Sequence, residues 1–221
     1  MSGCSAPRSV RGIVFDMDGT LLDTVGLVSR AWEFALRSLG YRASSSDIEP
    51  LVGLPASRIA EAFTGSSSSL VELSNLRAEY LEEHAREVRA FPEVPGVLSE
   101  LRSRGLRMAV ATSIPSRMAR LFLETAGILG LMDAVVGGDN VEHGKPEPDI
   151  FLEAARRLSL SPGDVVVIGD RDYDVLPAKR MGSFSVLVVR GAYCPAEKPD
   201  AVVSDLRGLL VVLGAHRSLP I

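Results

Sequence analysis

Residues 13–24 read IVFDMDGTLLDT, and the fold follows from where the opening apolar run stops. Ile13, Val14 and Phe15 show no polar alternation, which suits a strand of a parallel sheet covered on both faces, and they run straight into Asp16. Asp16 and Asp18 are two residues apart, so while the backbone stays extended both carboxylates point to the same side. Gly19 then permits a sharp departure of the chain. An isolated DxDG also suits a turn or a calcium loop, but the full calcium-loop pattern is absent and the motif directly follows a buried strand.

Outward from this stretch, short apolar runs recur at residues 106–111, 134–136, 165–168, 185–189 and 201–203. Between them lie helical patterns closed by glycine: Val97, Leu98 and Leu101 precede Gly105, and Met118, Leu121 and Phe122 precede Gly127. Phe151, Ala154, Ala155 and Leu158 share one helical face. Strand and helix alternate over residues 95–212, which predicts an α/β fold, a Rossmann-like doubly wound and mostly parallel sheet.

The stretch between the first strand and the second has no strand signal and is far longer than a crossover helix requires. An inserted helical unit explains the excess. One helix carries Val28, Ala31, Trp32, Ala35 and Leu39 and ends at Gly40; a second follows Pro55; a third places Leu73, Leu76, Tyr80, His84 and Val88 along one stripe. Residues 65–69 read as a flexible connector inside the insert. The expected organisation is a core of residues 1–22 and 93–221 with a helical domain of residues 23–92 inserted after the first strand. Trp32 and Tyr80 fall on apolar stripes and read as core.

Among 221 residues, 46% are apolar and 24% charged, ordinary for a soluble globular chain. The formal charge of −4, with no basic run, argues against nucleic acid or an anionic membrane as a main partner. Cys4 and Cys194 form no CxxC and read as free thiols of a reducing cytosol. The N-terminus has no apolar stretch before the first strand, and no later segment approaches the roughly 20 apolar residues that span a bilayer. A cytoplasmic protein is expected. The insert's apolar stripes suit packing within the chain or against a second copy, so a monomer and a homodimer are both open.

Chemistry gathers at the strand ends, because in an open parallel sheet ligands bind outside the carboxyl ends of the strands. Asp16 ends the first run, Thr112 ends residues 106–111, and Gly169-Asp170 ends residues 165–168. Asp170-Arg171-Asp172-Tyr173-Asp174 brings more acid to that edge; Asp172 or Asp174 also suits the cap of the following helix, with Pro177 in its first turn and Gly182 past its end. Two like charges 4 Å apart repel by about 4 kcal/mol at an effective dielectric near 20. Gathering Asp16, Asp18, Asp170 and Asp174 therefore implies a hard divalent cation. Magnesium suits it best, since it takes few carboxylates and shares its shell with a phosphate oxygen, and no His or Cys cluster points to zinc.

A phosphate also needs positive partners. Thr112 and Ser113 lie between a strand end and a helix beginning near Pro115, where hydroxyls and unpaired N–H groups bind anions; Ser113 suits helix capping as well. Lys145, in Gly144-Lys145-Pro146-Glu147-Pro148, is biased away from helix just before one begins, in place to reach that phosphate.

FDMDGTLLDT (15–24), VATSIP (110–115), HGKPEPDIF (143–151) and VVIGDRDYDVLPAKRMG (166–182) together resemble the haloacid dehalogenase superfamily, and within it the phosphoglycolate phosphatase-like branch. The resemblance covers almost the whole chain. It implies a magnesium-dependent phosphatase acting on a small phosphorylated metabolite, with the insert as that branch's helical cap. Residue by residue, it makes Asp16 the nucleophile that becomes aspartyl-phosphate and Asp18 the acid for the leaving alcohol, then the base for water. The Asp18 backbone carbonyl would join Asp16 and Asp170 on the metal, Thr112 and Lys145 would hold the phosphate, and Asp174 would support the metal or Lys145. Arg171 departs from the small Ser or Thr usual after the acid, and Asp172 competes with Asp174 for the supporting role. Residues 52–55 with Arg58 resemble the cap loop that faces the site, though an ordinary loop before a helix explains them equally. A sugar phosphomutase and a non-catalytic binder of phosphorylated metabolites are the alternatives; occupied catalytic positions speak against the binder, and Asp18-Gly19-Thr20 speaks against dehalogenation.

Overall fold

The computed structural model describes residues 10–214. Cys4 and most of the N-terminal segment discussed above lie outside these residues, while Cys194 is free and exposed. Among the described residues one parallel sheet runs in the order β3-β2-β1-β4-β5-β6, with β1 Gly12–Phe15, β2 Arg107–Ala111, β3 Ala134–Val136, β4 Val165–Gly169, β5 Phe184–Val188 and β6 Ala201–Val203. β2 and β5 each start one residue away from their apolar runs, because the pairing of Gly12 with Arg107 and of Val166 with Phe184, not apolarity, sets the first residue.

Four helices, α1 (Val25–Ser38), α2 (Ser45–Ile48), α3 (Ala56–Thr64) and α4 (Leu70–Glu83), occupy the stretch after β1; α5 (Val94–Ser103), α6 (Ser116–Thr125), α7 (Asp149–Arg157), α8 (Asp172–Arg180) and α9 (Arg207–Gly214) follow. α1 stops where Gly40 takes φ +82°, a conformation glycine adopts without a Cβ penalty, so that the Gly40 and Tyr41 N–H groups can satisfy the carbonyls of Arg37 and Leu36. The chain leaves and re-enters the sheet side by side: Leu22 bridges Ala90, and the Asp23 N–H donates to the Arg89 carbonyl at 3.0 Å.

Two expectations shift. α4 ends at Glu83, so His84 and Val88 lie past it; the chain tightens into a 3-10 turn at Ala85–Glu87, and Val88 is buried from there. Pro177 falls in the second turn of α8, because the Asp174 carboxylate accepts the Arg171 N–H at 3.2 Å and starts the helix at Asp172. A proline there forgoes the N–H that would bond the Tyr173 carbonyl.

The strands' alternate side chains divide the core. Ile13 and Phe15 join a large cluster that includes Leu27, Val28, Trp32, Leu36 and Leu73 of the insert, whereas Val14 joins a smaller one with Ala109, Ile150 and Phe151. The insert's core is thus continuous with one face of the sheet. Trp32 is fully buried; Tyr80 packs at the cluster's edge, stacked on His84 with ring centroids 4.0 Å apart. Among the described residues, no helix is long and apolar enough to cross a membrane.

The chain runs from β1 to β2 and β3 on one side, then crosses to β4 on the other. That reversal opens a crevice at the carboxyl ends of β1 and β4, where the acidic residues stand.

Candidate active site

The register of β1 against β4 sets the site. Phe15 pairs with Ile168, and the Asp16 N–H donates to the Ile168 carbonyl at 2.8 Å, which fixes Asp16 beside the Gly169-Asp170 end of β4. Immediately after, Gly19 turns the chain at φ +84°; a Cβ there would stand 2.6 Å from Asp170 Oδ2. Glycine therefore serves both the turn and the close approach. Thr112 comes in from β2, whose Val110 pairs with Phe15.

Lys145 reaches the same point from the loop before α7, and the peptide that follows it, Lys145–Pro146, is cis. Its fully buried ammonium pairs with Asp16 and lies 2.7 Å from Asp174 Oδ1, with the Phe151 ring centroid 5.0 Å away. Burial opposes that charge, but Asp16 and Asp174 outweigh it and raise the Lys145 pKa. Asp174 folds back over Gly169, where any Cβ would collide with its carboxylate. It thus caps α8 and holds Lys145 at once.

Asp18 sits across from this pair. Thr24 Oγ donates to its Oδ1 at 2.5 Å and Thr112 Oγ to its Oδ2 at 3.4 Å. Burial raises the Asp18 pKa, and the hydrogen bond from Thr24, the Lys145 charge and Thr112 oppose it. Asp16 is pushed well above the usual carboxylate range by burial and by Asp174, Asp170 and Asp18, against Lys145. Asp170 rises to about 7, through burial and Asp174, although Arg171 Nε is 3.3 Å from its Oδ2.

Carboxylate oxygens of Asp16, Asp170 and Asp174 lie within 4.8 Å of one another. Three buried or half-buried acids so close suit a divalent metal ion, and an all-oxygen donor set suits a hard one. Asp172 is turned away: its carboxylate accepts from the Tyr193 hydroxyl at 2.7 Å and from the Ala196 and Glu197 N–H groups. Ser113 Oγ points to the insert and donates to the Gly53 carbonyl at 2.5 Å.

A family profile for haloacid dehalogenase-like hydrolases matches residues 13–188, which includes Asp16, Asp18, Thr112, Lys145, Asp170 and Asp174. The chain belongs to that family. It is 33% identical over 222 residues to a phosphoglycolate phosphatase of Vibrio cholerae, covering 93% of this chain and 98% of that one. It is also 25% identical to the pyrophosphatase PpaX of Oceanobacillus iheyensis, over 93% of this chain and 98% of the other. A crystal structure of a hydrolase from Pseudomonas syringae superposes with a TM-score of 0.84 at 27% identity, covering 94% of this chain and 99% of that one.

In this haloacid dehalogenase-like hydrolase a cavity of about 690 Å³ opens beside the acids, with Ser113 and Lys145 on the sheet side and Arg58 and Arg77 on the helical insert. Three residues near the site were not singled out for it by sequence. Thr24 ends the first motif and is in hydrogen-bond contact with Asp18; a hydroxyl at that place was the available signal. Tyr173 sits between two acids, and its hydroxyl lies 2.6 Å from the Val52 carbonyl and 3.1 Å from that of Pro50. Arg77 is buried on α4, where a charge on a helix ordinarily reads as solvated surface.

Proposed function

We propose that this hydrolase is a magnesium-dependent phosphatase that cleaves a small phosphomonoester through an aspartyl-phosphate on Asp16. The observation that carries the proposal is the buried contact of Asp16 with Lys145, with Asp18 as a second, separately hydrogen-bonded carboxyl and Asp170 and Asp174 close behind.

The site fits the metal: Asp16 and Asp170 would hold it by their carboxylates, and Asp18 by its backbone carbonyl. Bound there, magnesium would offset the carboxylate charge and polarise a phosphoryl oxygen. Asp16 attacks phosphorus in line, and the alcohol oxygen leaves on the opposite side carrying the proton of Asp18. The Asp18 carboxylate then takes a proton from water as that water attacks the acyl phosphate, which restores Asp16 and frees inorganic phosphate. Two opposing influences suit Asp18 to both roles: burial favours its protonated form, and the Thr24 and Thr112 hydroxyls favour its carboxylate. Lys145 and Thr112 hold the transferring group, and Asp174 fixes Lys145.

The cavity's volume falls in the range of small-ligand sites. The helices of residues 23–92 act as a cap whose Arg58 and Arg77 face the leaving group. Kinship with phosphatases named for phosphoglycolate supports a small metabolite as substrate.

Phosphate release from an aryl phosphate, with magnesium and with chelator, tests the reading. Release should require the metal and vanish in Asp16→Asn; undiminished turnover in that variant overturns it. Incubation with a hexose 1-phosphate, assayed for free phosphate and for isomer, separates hydrolysis from phosphomutase transfer.

A further inference from the structure

The clustered carboxylates are shared between two cations of the chain itself. Lys145 pairs with Asp16 and lies 2.7 Å from Asp174, and holding the transferring phosphoryl group accounts for it. Arg171 has no such account. Its Nε lies 3.3 Å from Asp170 Oδ2, yet the residue does not line the cavity of Ser113 and Lys145 in which a substrate would sit. With Gly19, Asp170 and Tyr193 it lines a separate cleft of about 300 Å³.

Local structure does not require the guanidinium either. The Arg171 backbone, not its side chain, starts α8 by donating its N–H to Asp174 at 3.2 Å. The guanidinium carbon lies 5.3 Å from the centroid of the Tyr193 ring, a contact that keeps the cation beside Asp170. The loop that carries Tyr193 is tied down by Asp172, which accepts from the Tyr193 hydroxyl at 2.7 Å and from the Ala196 and Glu197 N–H groups at 3.1 and 3.0 Å. Arg171 Nε is buried and makes no hydrogen bond, so its approach to Asp170 is a contact of charge and not a directed bond. The two side chains keep 24% and 15% of their exposure, so solvent weakens the pair without removing it.

We propose that Arg171 lowers the affinity of the site for magnesium, by pairing with the Asp170 carboxylate that the ion must share and by repelling the ion's charge. This rests on the magnesium site of the proposed function. The repulsion acts on the two positive charges of the ion, against one on a proton, so removing the guanidinium favours the metal even though it also favours protonation of Asp170. With the arginine in place, the site fills and empties with free magnesium instead of staying loaded.

Calorimetric titration of the metal-free protein with magnesium chloride, at low salt and at about pH 8.5, where protons compete least for the carboxylates, tests this apart from turnover. Arg171→Gln and Arg171→Ser should each bind magnesium about tenfold more tightly than the wild-type protein, the scale of a half-screened charge acting on a divalent ion. Arg171→Lys, which keeps the charge, should stay within about threefold of wild type. A side chain that merely held the fold would give weaker binding when removed. A neutral variant that binds magnesium no more tightly than wild type, or a lysine variant that gains as much as the neutral ones, overturns the proposal. The two neutral side chains differ in size, so a folding defect in one leaves the other to decide. Failure of the metal reading shows separately, as magnesium affinity unmoved by Asp170→Asn, and overturns this proposal with it; failure of the phosphatase reading shows as absence of phosphate release from the aryl phosphate.

Discussion

Thr24 donates a 2.5 Å hydrogen bond to Asp18 from the first residues of the helical insert, so the carboxyl proposed to carry the proton is held by the segment proposed to close over it. The bond stabilises the charged form of Asp18, and its loss raises the carboxyl's pKa further. Thr24→Val, nearly the same shape without the donor, should move the Asp18 limb of the pH profile of kcat/KM to higher pH. Activity at neutral pH should fall about tenfold, in line with a charged hydrogen bond of about 1.5 kcal/mol. Thr24→Ser should restore the profile. An unshifted limb in the valine variant would show that the bond does not tune Asp18.

Lys145 stands between Asp16 and Asp174, and all three are buried. Removing one partner from a buried ionic set leaves uncompensated charge and costs about 3–5 kcal/mol. Lys145→Met should lose that order of stability in denaturant titrations with chelator present, along with at least about a hundredfold in kcat/KM, as expected where a cation stabilises transferring charge. Adding Asp174→Asn should recover stability and not activity. If the double variant is no more stable than the single one, the pairing at 2.7 Å is not what holds Asp174 in place.

These relationships divide by how far they depend on packing. Asp16, Thr112 and Asp170 were legible because each ends a strand buried on both faces, so local apolarity alone brings them to one edge. Asp174 and Lys145 were legible as neighbours of helix starts, and the family resemblance offered support of Lys145 by Asp174 as one of two alternatives; local spacing alone could not choose it, since the pairing joins segments distant in sequence. Asp172 and Asp174 could not be ranked from sequence; Gly169, by admitting the Asp174 carboxylate, and Tyr193, by engaging Asp172, separate them. Arg77 was invisible because nothing in the periodicity of α4 shows that Trp32 of α1 will cover it.

Tyr173, at the start of α8, and Ser113, just past β2, reach the same loop of the insert. The Tyr173 hydroxyl lies 2.6 Å from the Val52 carbonyl, Ser113 donates to the Gly53 carbonyl at 2.5 Å, and Gly53 at φ +105° has no Cβ to strike the Tyr173 ring. The two residues adjoin Asp174 and Thr112, so the loop is docked beside both halves of the site. Tyr173→Phe should raise KM several-fold, with about 1 kcal/mol lost per hydrogen bond, and should speed hydrogen exchange at residues 51–54. Gly53→Ala should do more, as it meets both the ring and the left-handed backbone. Exchange unchanged in the phenylalanine variant would mean that the loop is held by other contacts.

The raised carboxyl pKa values give metal dependence a sign. Asp16, Asp18 and Asp170 all titrate above their ordinary 3.8 in the folded chain, Asp170 at about 7. Between those values the native state holds more protons than the unfolded one, so metal-free stability is fully present below pH 4 as far as these groups go and is lost as pH rises toward 7. Lys145 adds no opposing change in that window, since its pKa is raised and it stays protonated. A cation bound among the carboxylates favours their ionised forms, so its stabilising effect must grow over the same window. The melting temperature with saturating magnesium minus that with chelator should therefore increase from pH 5 to pH 7. One pKa unit corresponds to about 1.4 kcal/mol, or about 3–6 °C in a domain of this size, as a lower bound. Asp170→Asn should reduce the increase, because it removes the group whose titration falls nearest neutrality. A magnesium-dependent shift that is constant or shrinks from pH 5 to pH 7 would place the metal somewhere other than on these acids.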